Sequence, residues 1–142
     1  MGTRRKGREL ALQVLYEANI KGDMSPAALE FGLSHAVGST KAKEFARRLV
    51  FGVVGHLEEI NRVIEKSSEH WRLDRMAKVD LIILQVATYE LLFCPDIPVQ
   101  VTIDEALEVG KRYGAEDSPP FINGILDHVA QSAGLKERAQ LR

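Results

Sequence analysis

The chain has 142 residues and a formal net charge of −1, with 45% hydrophobic and 27% charged residues. This composition is typical of globular proteins and excludes a disordered chain or a bulk polyanion binder. One cysteine, Cys94, excludes an internal disulfide framework, and no secretory signal is recognisable at the start. The longest apolar stretch, residues 79–93, is shorter than the ~20 residues of a membrane span. We therefore expect a cytoplasmic protein of one domain.

The first two predicted helices lie before residue 38. Apolar residues recur at helical spacing from Arg4 to Ile20, which predicts a first helix ended by residues 21–23. A serine followed by a proline is typical of a helix start, because the serine caps free amides and proline fits the first turn. Ser25 and Pro26 therefore predict a short second helix that reaches about residue 37.

A long third helix is predicted to follow a loop at residues 38–40 and to reach Ser67. Gly52 and Gly55 lie inside it, and each costs a helix about 1 kcal/mol relative to alanine. Either close packing of a neighbouring helix or a kink would explain them. Residues 79–93 are apolar on nearly all sides, which predicts a buried central helix in the second half.

Two further helices are predicted after residue 98. The sequence Thr102 to Glu105 matches a capping box, in which the threonine and glutamate side chains cap a helix start, and Gly114 is placed to end that helix. Ser118 followed by proline predicts the start of a last helix, which Gly134 ends.

The predicted fold class is therefore all-α, with six helices and no persuasive strand. Two three-helix bundles packed together, about residues 1–70 and 71–142, are the simplest architecture for a single domain over residues 1–142. The join between them is predicted near residues 69–75.

Residues suited to catalysis are few. The chain has no Gly-rich phosphate loop, and its histidines lie far apart in sequence, at His35, His56, His70 and His128. Cys94 follows Leu91, Leu92 and Phe93, which favours an inert core thiol over a nucleophile. We expect no enzyme, no metal site and no cofactor.

A basic cluster opens the first helix. Arg4, Arg5, Lys6 and Arg8 occur in the first eight residues without an acidic residue among them. At ~100° per residue the three arginines form a strip beside the buried face that leads to Tyr16. Arginine binds phosphate through its planar fork and tyrosine stacks on unpaired bases, so the pattern favours nucleic-acid binding. A solvated helix end is the alternative, although cations there oppose the helix dipole.

A second feature lies before the last helix. Tyr113 and Phe121 flank a loop that leads to a helix N-terminus, where free amides favour anions. Ordinary capping with both rings half-buried is the alternative, and these residues alone favour it.

Several motifs resemble the NusB family of bacterial transcription antitermination factors. They are R-R-x-x-R-x-x-A-x-Q-x-L-Y from Arg4 to Tyr16, W-x-x-x-R from Trp71, A-x-Y-E-L from Ala87, and the blocks DIPVQVTIDEALEVGKRYG and FINGILD from Asp96 to Asp127. The resemblance covers nearly the whole chain. It implies a helical fold of two three-helix bundles that binds the boxA element of nascent ribosomal RNA with the ribosomal protein NusE. It also implies assembly with NusA, NusG and RNA polymerase.

The resemblance also implies roles for individual residues. Those expected to bind RNA are Arg4, Arg5, Lys6, Arg8, Tyr16, Tyr113, Asp117, Ser118, Phe121 and Asn123. Tyr16 and Asp80 are expected to face the protein partner. The chain departs from the family pattern at four positions, namely Gly7, Gln85, Pro119 and Pro120. Gly7 is expected to let the first turn fray without RNA, and the two prolines to stiffen the loop before Phe121.

Three alternatives stay open. The accessory domain of an rRNA cytosine methyltransferase resembles the same family, but that enzyme needs a nucleotide-binding domain, which we do not find in these 142 residues. A helical interaction protein without an RNA role would leave the basic cluster merely solvated. A homodimer that covers the RNA surface is the third.

Overall fold

The computed structural model describes residues 2–69 and 71–135, and His70 lies outside these ranges. Every regular element within them is helical, which confirms the predicted all-α class. The helices are α1 (Gly2–Lys21), α2 (Pro26–His35), α3 (Thr40–Gly55), α4 (Leu57–Ser67), α5 (Lys78–Phe93), α6 (Val99–Tyr113) and α7 (Ser118–Ser132), with a 3-10 turn at Leu73–Arg75. None of these described helices is both long and apolar enough to span a membrane. The chain folds into two compact units that divide between Gly55 and His56.

The first unit contains α1, α2 and α3, which all pack against one another. Its core consists of leucines that are at most 1% exposed, namely Leu10, Leu15, Leu29, Leu33 and Leu49. Ser25 caps α2 as predicted, since its hydroxyl accepts a hydrogen bond from the Ala28 amide at 3.2 Å. The Arg47 guanidinium of α3 donates to Glu30 of α2 at 2.7 Å and lowers the pKa of that carboxyl.

The predicted third helix is in fact two helices. His56 leaves the helical conformation with φ −126° and ψ 23°, so α3 ends at Gly55 and α4 begins at Leu57. A β-carbon at Gly55 would meet nothing within 4 Å, so close packing does not explain this glycine. Glycine weakens a helix, which is consistent with the end of α3 at this residue.

This break shifts the join between the two halves. The compact units divide at Gly55 and His56, earlier than the predicted position near residues 69–75. The second unit consequently contains four α-helices, where the sequence predicted three.

In the second unit, α5 packs against α4, α6 and α7, as expected for the predicted central helix. Most of its residues are buried, and Cys94, which follows it, is 0% exposed. Gln85 donates a hydrogen bond to Asn61 of α4 at 2.9 Å, so this departure from the family pattern links α5 to α4.

The predicted capping box at Thr102 is wrong. Helix α6 begins at Val99 after Pro98, so Thr102 lies inside its first turns. The Thr102 hydroxyl donates to the Glu90 carboxylate of α5 at 2.9 Å, and both residues are 1% exposed. A hydrogen bond between helices therefore replaces the expected cap.

At Gly7, α1 and α3 approach so closely that adding one methyl group should destabilise the protein. In Gly7→Ala the new β-carbon would lie 2.8 Å from Phe45 Cδ2 and 3.0 Å from the Ala42 carbonyl oxygen. Because this overpacking must displace α1, we expect about 1–3 kcal/mol of destabilisation in urea unfolding followed by circular dichroism.

Gly124→Ala is the matched control. Gly124 lies inside α7, and a β-carbon there would meet nothing within 4 Å. We expect this variant to gain up to about 1 kcal/mol from helix propensity. A Gly7→Ala variant as stable as the wild type would contradict the tight packing.

Candidate nucleic-acid interface

The predicted basic cluster occupies the first two turns of α1. The first turn of the helix contains no acidic residue. Arg4 and Lys6 are exposed and Arg5 is half-buried. Cations are unfavourable at a helix N-terminus, so this end of α1 has a concentrated positive potential suited to an anion.

Phe45 of α3 lies beneath the cluster. The Arg4 guanidinium carbon is 4.7 Å from the centroid of the Phe45 ring, and that of Arg8 is 5.2 Å from it. Both distances are within the range of cation–π attraction. Gly7 allows this arrangement, because a side chain there would collide with the same ring. One aromatic ring thus holds two arginines in place.

No role beside the basic cluster was predicted for Phe45 from the sequence. The available signal was the spacing of Arg4 and Arg8, which lie one helical turn apart and face the same neighbour. Gly7 was expected to let the first turn fray. In the structure it is buried, and α1 is helical from Gly2.

Arg8 does not lie on the surface with the other cations. It is 5% exposed, because its side chain is packed between α1 and the Phe45 ring. Little of Arg8 is accessible in the structure, so its expected contact with RNA stays a prediction. Tyr16 lies eight residues further along α1 and is 38% exposed, so its ring is accessible to a ligand.

In the second unit, the loop between α6 and α7 is built around the Ser118 hydroxyl. This oxygen accepts a hydrogen bond from the Ala115 amide at 2.8 Å, and Ser118 is 1% exposed. A β-carbon at Gly114 would lie 2.5 Å from the same oxygen, so a close approach requires glycine here. Ser118 was expected to bind RNA and to cap α7. It instead holds the loop, and Asp117 is the residue before the helix.

The sequence favoured ordinary capping over an anion site at the N-terminus of α7, and the backbone there also disfavours an anion. The Ser118 amide donates to the Ala115 carbonyl at 3.0 Å, and the Phe121 amide donates to the Asp117 carbonyl at 3.3 Å. Pro119 and Pro120 have no amide hydrogen. None of the first four residues of the helix therefore offers a backbone donor to an anion.

Aromatic and polar side chains remain around this loop. Tyr113 is 47% exposed, Phe121 is half-buried, and Asp117 and Asn123 are exposed. Trp71 contacts Phe121 edge-to-face with ring centroids 5.5 Å apart. The sequence motif W-x-x-x-R included Trp71, but no function was predicted for it.

Asp80 was expected to face a protein partner, but its side chain is mostly buried. It lies in the first turn of α5 and is only 9% exposed. Its Oδ1 atom has no hydrogen-bond partner among the described residues. The positive end of the helix dipole favours a carboxylate there, which explains how the charge is tolerated.

The described histidines make separate local contacts. His35 stacks on Phe31, His56 stacks on Phe93, and His128 lies 3.1 Å from the Ser67 hydroxyl. Across residues 2–69 and 71–135, no three His, Cys, Asp or Glu side chains form a group that could hold a metal ion.

Comparison with known proteins gives consistent matches. The model of the NusB family matches residues 5–131. The transcription antitermination protein NusB of Geobacter sulfurreducens is 50% identical over 133 residues, which cover 93% of this chain and 96% of that protein. The NusB protein of Myxococcus xanthus is 48% identical over 134 residues, covering 92% and 96%.

Solved structures agree with these matches. The structure of T. maritima NusB has a TM-score of 0.85 and 41% identity, and the alignment covers 96% of each chain. A crystal structure of the antitermination factors NusB and NusE in complex with dsRNA has a TM-score of 0.81 and 27% identity, covering 93% of this chain and 98% of that one. The chain therefore belongs to the NusB family.

Proposed function

We propose that this protein is an RNA-binding transcription antitermination factor that binds the boxA element of nascent ribosomal RNA together with NusE. The observation that carries the proposal is the acid-free start of α1, where Phe45 orients the arginines. The solved complex of the related NusB and NusE with RNA supports the same assignment. The function requires binding and no catalytic step.

The accessible chemistry suits an unpaired RNA segment. Arg4, Arg5 and Lys6 offer cations for phosphates, while Tyr16 offers an exposed ring for a base. Each phosphate contact on single-stranded RNA contributes about −0.7 to the salt slope, so three cations give at most about −2. This is a modest electrostatic contribution, and a partner that extends the interface would strengthen binding.

The proposed assembly follows the family. NusE would bind this chain at Tyr16 and Asp80, and the pair would join NusA, NusG and RNA polymerase in the cytoplasm. Asp80 is 9% exposed, so only a small part of its side chain would be available for this contact. Self-association into a homodimer is tested separately by sedimentation at several concentrations.

The first prediction concerns the surface cations. We expect Arg5→Ala/Lys6→Ala to weaken binding of a boxA-like single-stranded RNA roughly tenfold or more, because charge-assisted hydrogen bonds contribute about 1.5–3 kcal/mol each. The salt slope should fall by about 1.4, the loss of two phosphate contacts. Fluorescence anisotropy over a salt series measures both quantities.

Lys21→Ala is the matched control, since Lys21 is an exposed cation at the opposite end of the same helix. It should leave the affinity and the salt slope unchanged. A scrambled RNA of equal length tests selectivity. Equal weak binding of both RNAs, indifferent to the double substitution, would refute the proposed function.

A second prediction separates Arg8 from the exposed cations. Because Arg8 is buried against Phe45, Arg8→Ala should lower the free energy of unfolding by about 1–3 kcal/mol while the salt slope of RNA binding stays unchanged. Arg8→Lys retains the charge but loses the planar group, so its free energy of unfolding should lie between those of the wild type and Arg8→Ala. An unchanged stability with a slope reduced by about 0.7 would show a direct phosphate contact instead.

The third prediction concerns the partner. Saturating NusE should tighten boxA binding by about 5- to 150-fold, the usual range of coupling between two ligands. Tyr16→Ala should reduce this gain, because Tyr16 is accessible on α1. If NusE leaves the affinity for boxA unchanged, the linkage between partner and RNA is absent.

A further inference from the structure

Trp71 is a large aromatic residue that the fold leaves accessible. It is 51% exposed and is the one tryptophan in the sequence. Its ring meets Phe121 at an interplanar angle of 76° with centroids 5.5 Å apart. This edge-to-face arrangement is a favourable geometry for a pair of aromatic rings. About half of the Trp71 surface therefore remains accessible to a further flat group.

The backbone at Trp71 is fixed to the end of α4. The Trp71 amide donates to the Ser68 carbonyl at 2.8 Å. Ser68 is buried, and its hydroxyl lies 2.8 Å from the Ile64 carbonyl oxygen and 3.2 Å from that of Trp71. Trp71 is thus held in position before any ligand binds, which lowers the entropy cost of contacting it.

Phe121 is fixed on the other side of the pair. It lies in the first turns of α7, whose entry is set by the two prolines and the Ser118 hydrogen bond. Helix α7 also packs against α4, where His128 Nδ1 lies 3.1 Å from the Ser67 hydroxyl. The two rings therefore belong to one rigid part of the second unit.

We propose that Trp71 and Phe121 form a stacking platform for an unpaired RNA base. The proposal rests on the proposed function and extends its RNA contacts to the segment after α4. Stacking on aromatic rings accepts every base, because each has a π-face. A base is favoured over a protein surface because Arg72, which follows Trp71, and Glu69, two residues before it, are exposed and charged, whereas the core of a protein interface is depleted in charge.

The test uses the intrinsic fluorescence of Trp71, which reports on this residue alone in the free protein. Titration with the boxA-like single-stranded RNA, without NusE, should quench this fluorescence with the same midpoint as anisotropy. Trp71→Ala should weaken RNA binding roughly 5- to 100-fold, the range of one base–aromatic stack, and Trp71→Phe should recover most of the loss. The salt slope should not change, because no cation is removed.

Single abasic substitutions along the RNA identify the stacked base. One position should weaken binding to the wild type but have little further effect on Trp71→Ala. Phe31→Ala is the control, since Phe31 is a 60% exposed aromatic residue on α2 in the first unit. It should bind RNA as the wild type does.

The outcomes distinguish a failure of the stacking platform from a failure of the proposed RNA-binding function. Selective RNA binding by the wild type, with no quenching and no loss in Trp71→Ala, would overturn the platform and leave the proposed function intact. A fluorescence change caused by NusE but not by RNA would assign the rings to a protein partner and also overturn it. Loss of selective RNA binding by the wild type itself would refute the proposed function. If Trp71→Ala does not fold, the quenching and abasic measurements on the wild type still decide.

Discussion

The contact between Gly7 of α1 and Phe45 of α3 determines the geometry of the basic cluster. Without a β-carbon at residue 7, α1 lies directly against the aromatic ring. The ring then attracts the guanidinium groups of Arg4 and Arg8, one turn apart on the same helix. Cations at a helix N-terminus are unfavourable for folding, so part of their cost is offset by this contact. These two arginines are therefore held against the ring before any ligand binds.

The loop before α7 illustrates a different constraint. The amides of Ser118 and Phe121 are hydrogen-bonded and Pro119 and Pro120 have none, so the first four residues of α7 offer no backbone donor to an anion as helix N-termini often do. Recognition there must come from side chains, and the aromatic rings of Tyr113, Phe121 and Trp71 are the accessible ones. Under the proposed function, the first unit would offer cations for phosphates and the second would offer rings for bases.

Buried polar groups divide the family-derived site into two kinds of residue. Arg8, Ser118 and Asp80 are at least nine-tenths buried, although each was expected to contact RNA or a partner. Arg8 packs on the Phe45 ring, and the Ser118 hydroxyl accepts a hydrogen bond within the loop before α7. The exposed members, such as Lys6, Tyr16 and Asn123, are the ones suited to direct contact. Membership of a family motif therefore does not distinguish a ligand from a support.

Local patterns were sufficient to predict much of this protein. The helical periodicity, the start of α2 at Ser25 and Pro26, the buried α5 and the basic start of α1 all follow from residues close together in sequence. The motif order indicated the family, which the comparisons show.

Other features were decided only by the tertiary structure. The Thr102 hydroxyl donates a hydrogen bond to the Glu90 carboxylate instead of capping a helix. Arg8 is buried against the Phe45 ring instead of lying on the surface. The break at His56 likewise separates two helices that periodicity alone joined. Helix periodicity is set by neighbours within a few residues, so the sequence alone determined the all-helical class and the basic cluster but not every helix boundary. Burial, by contrast, depends on which distant helices meet, so only the tertiary structure decided which of the predicted residues are accessible to a ligand.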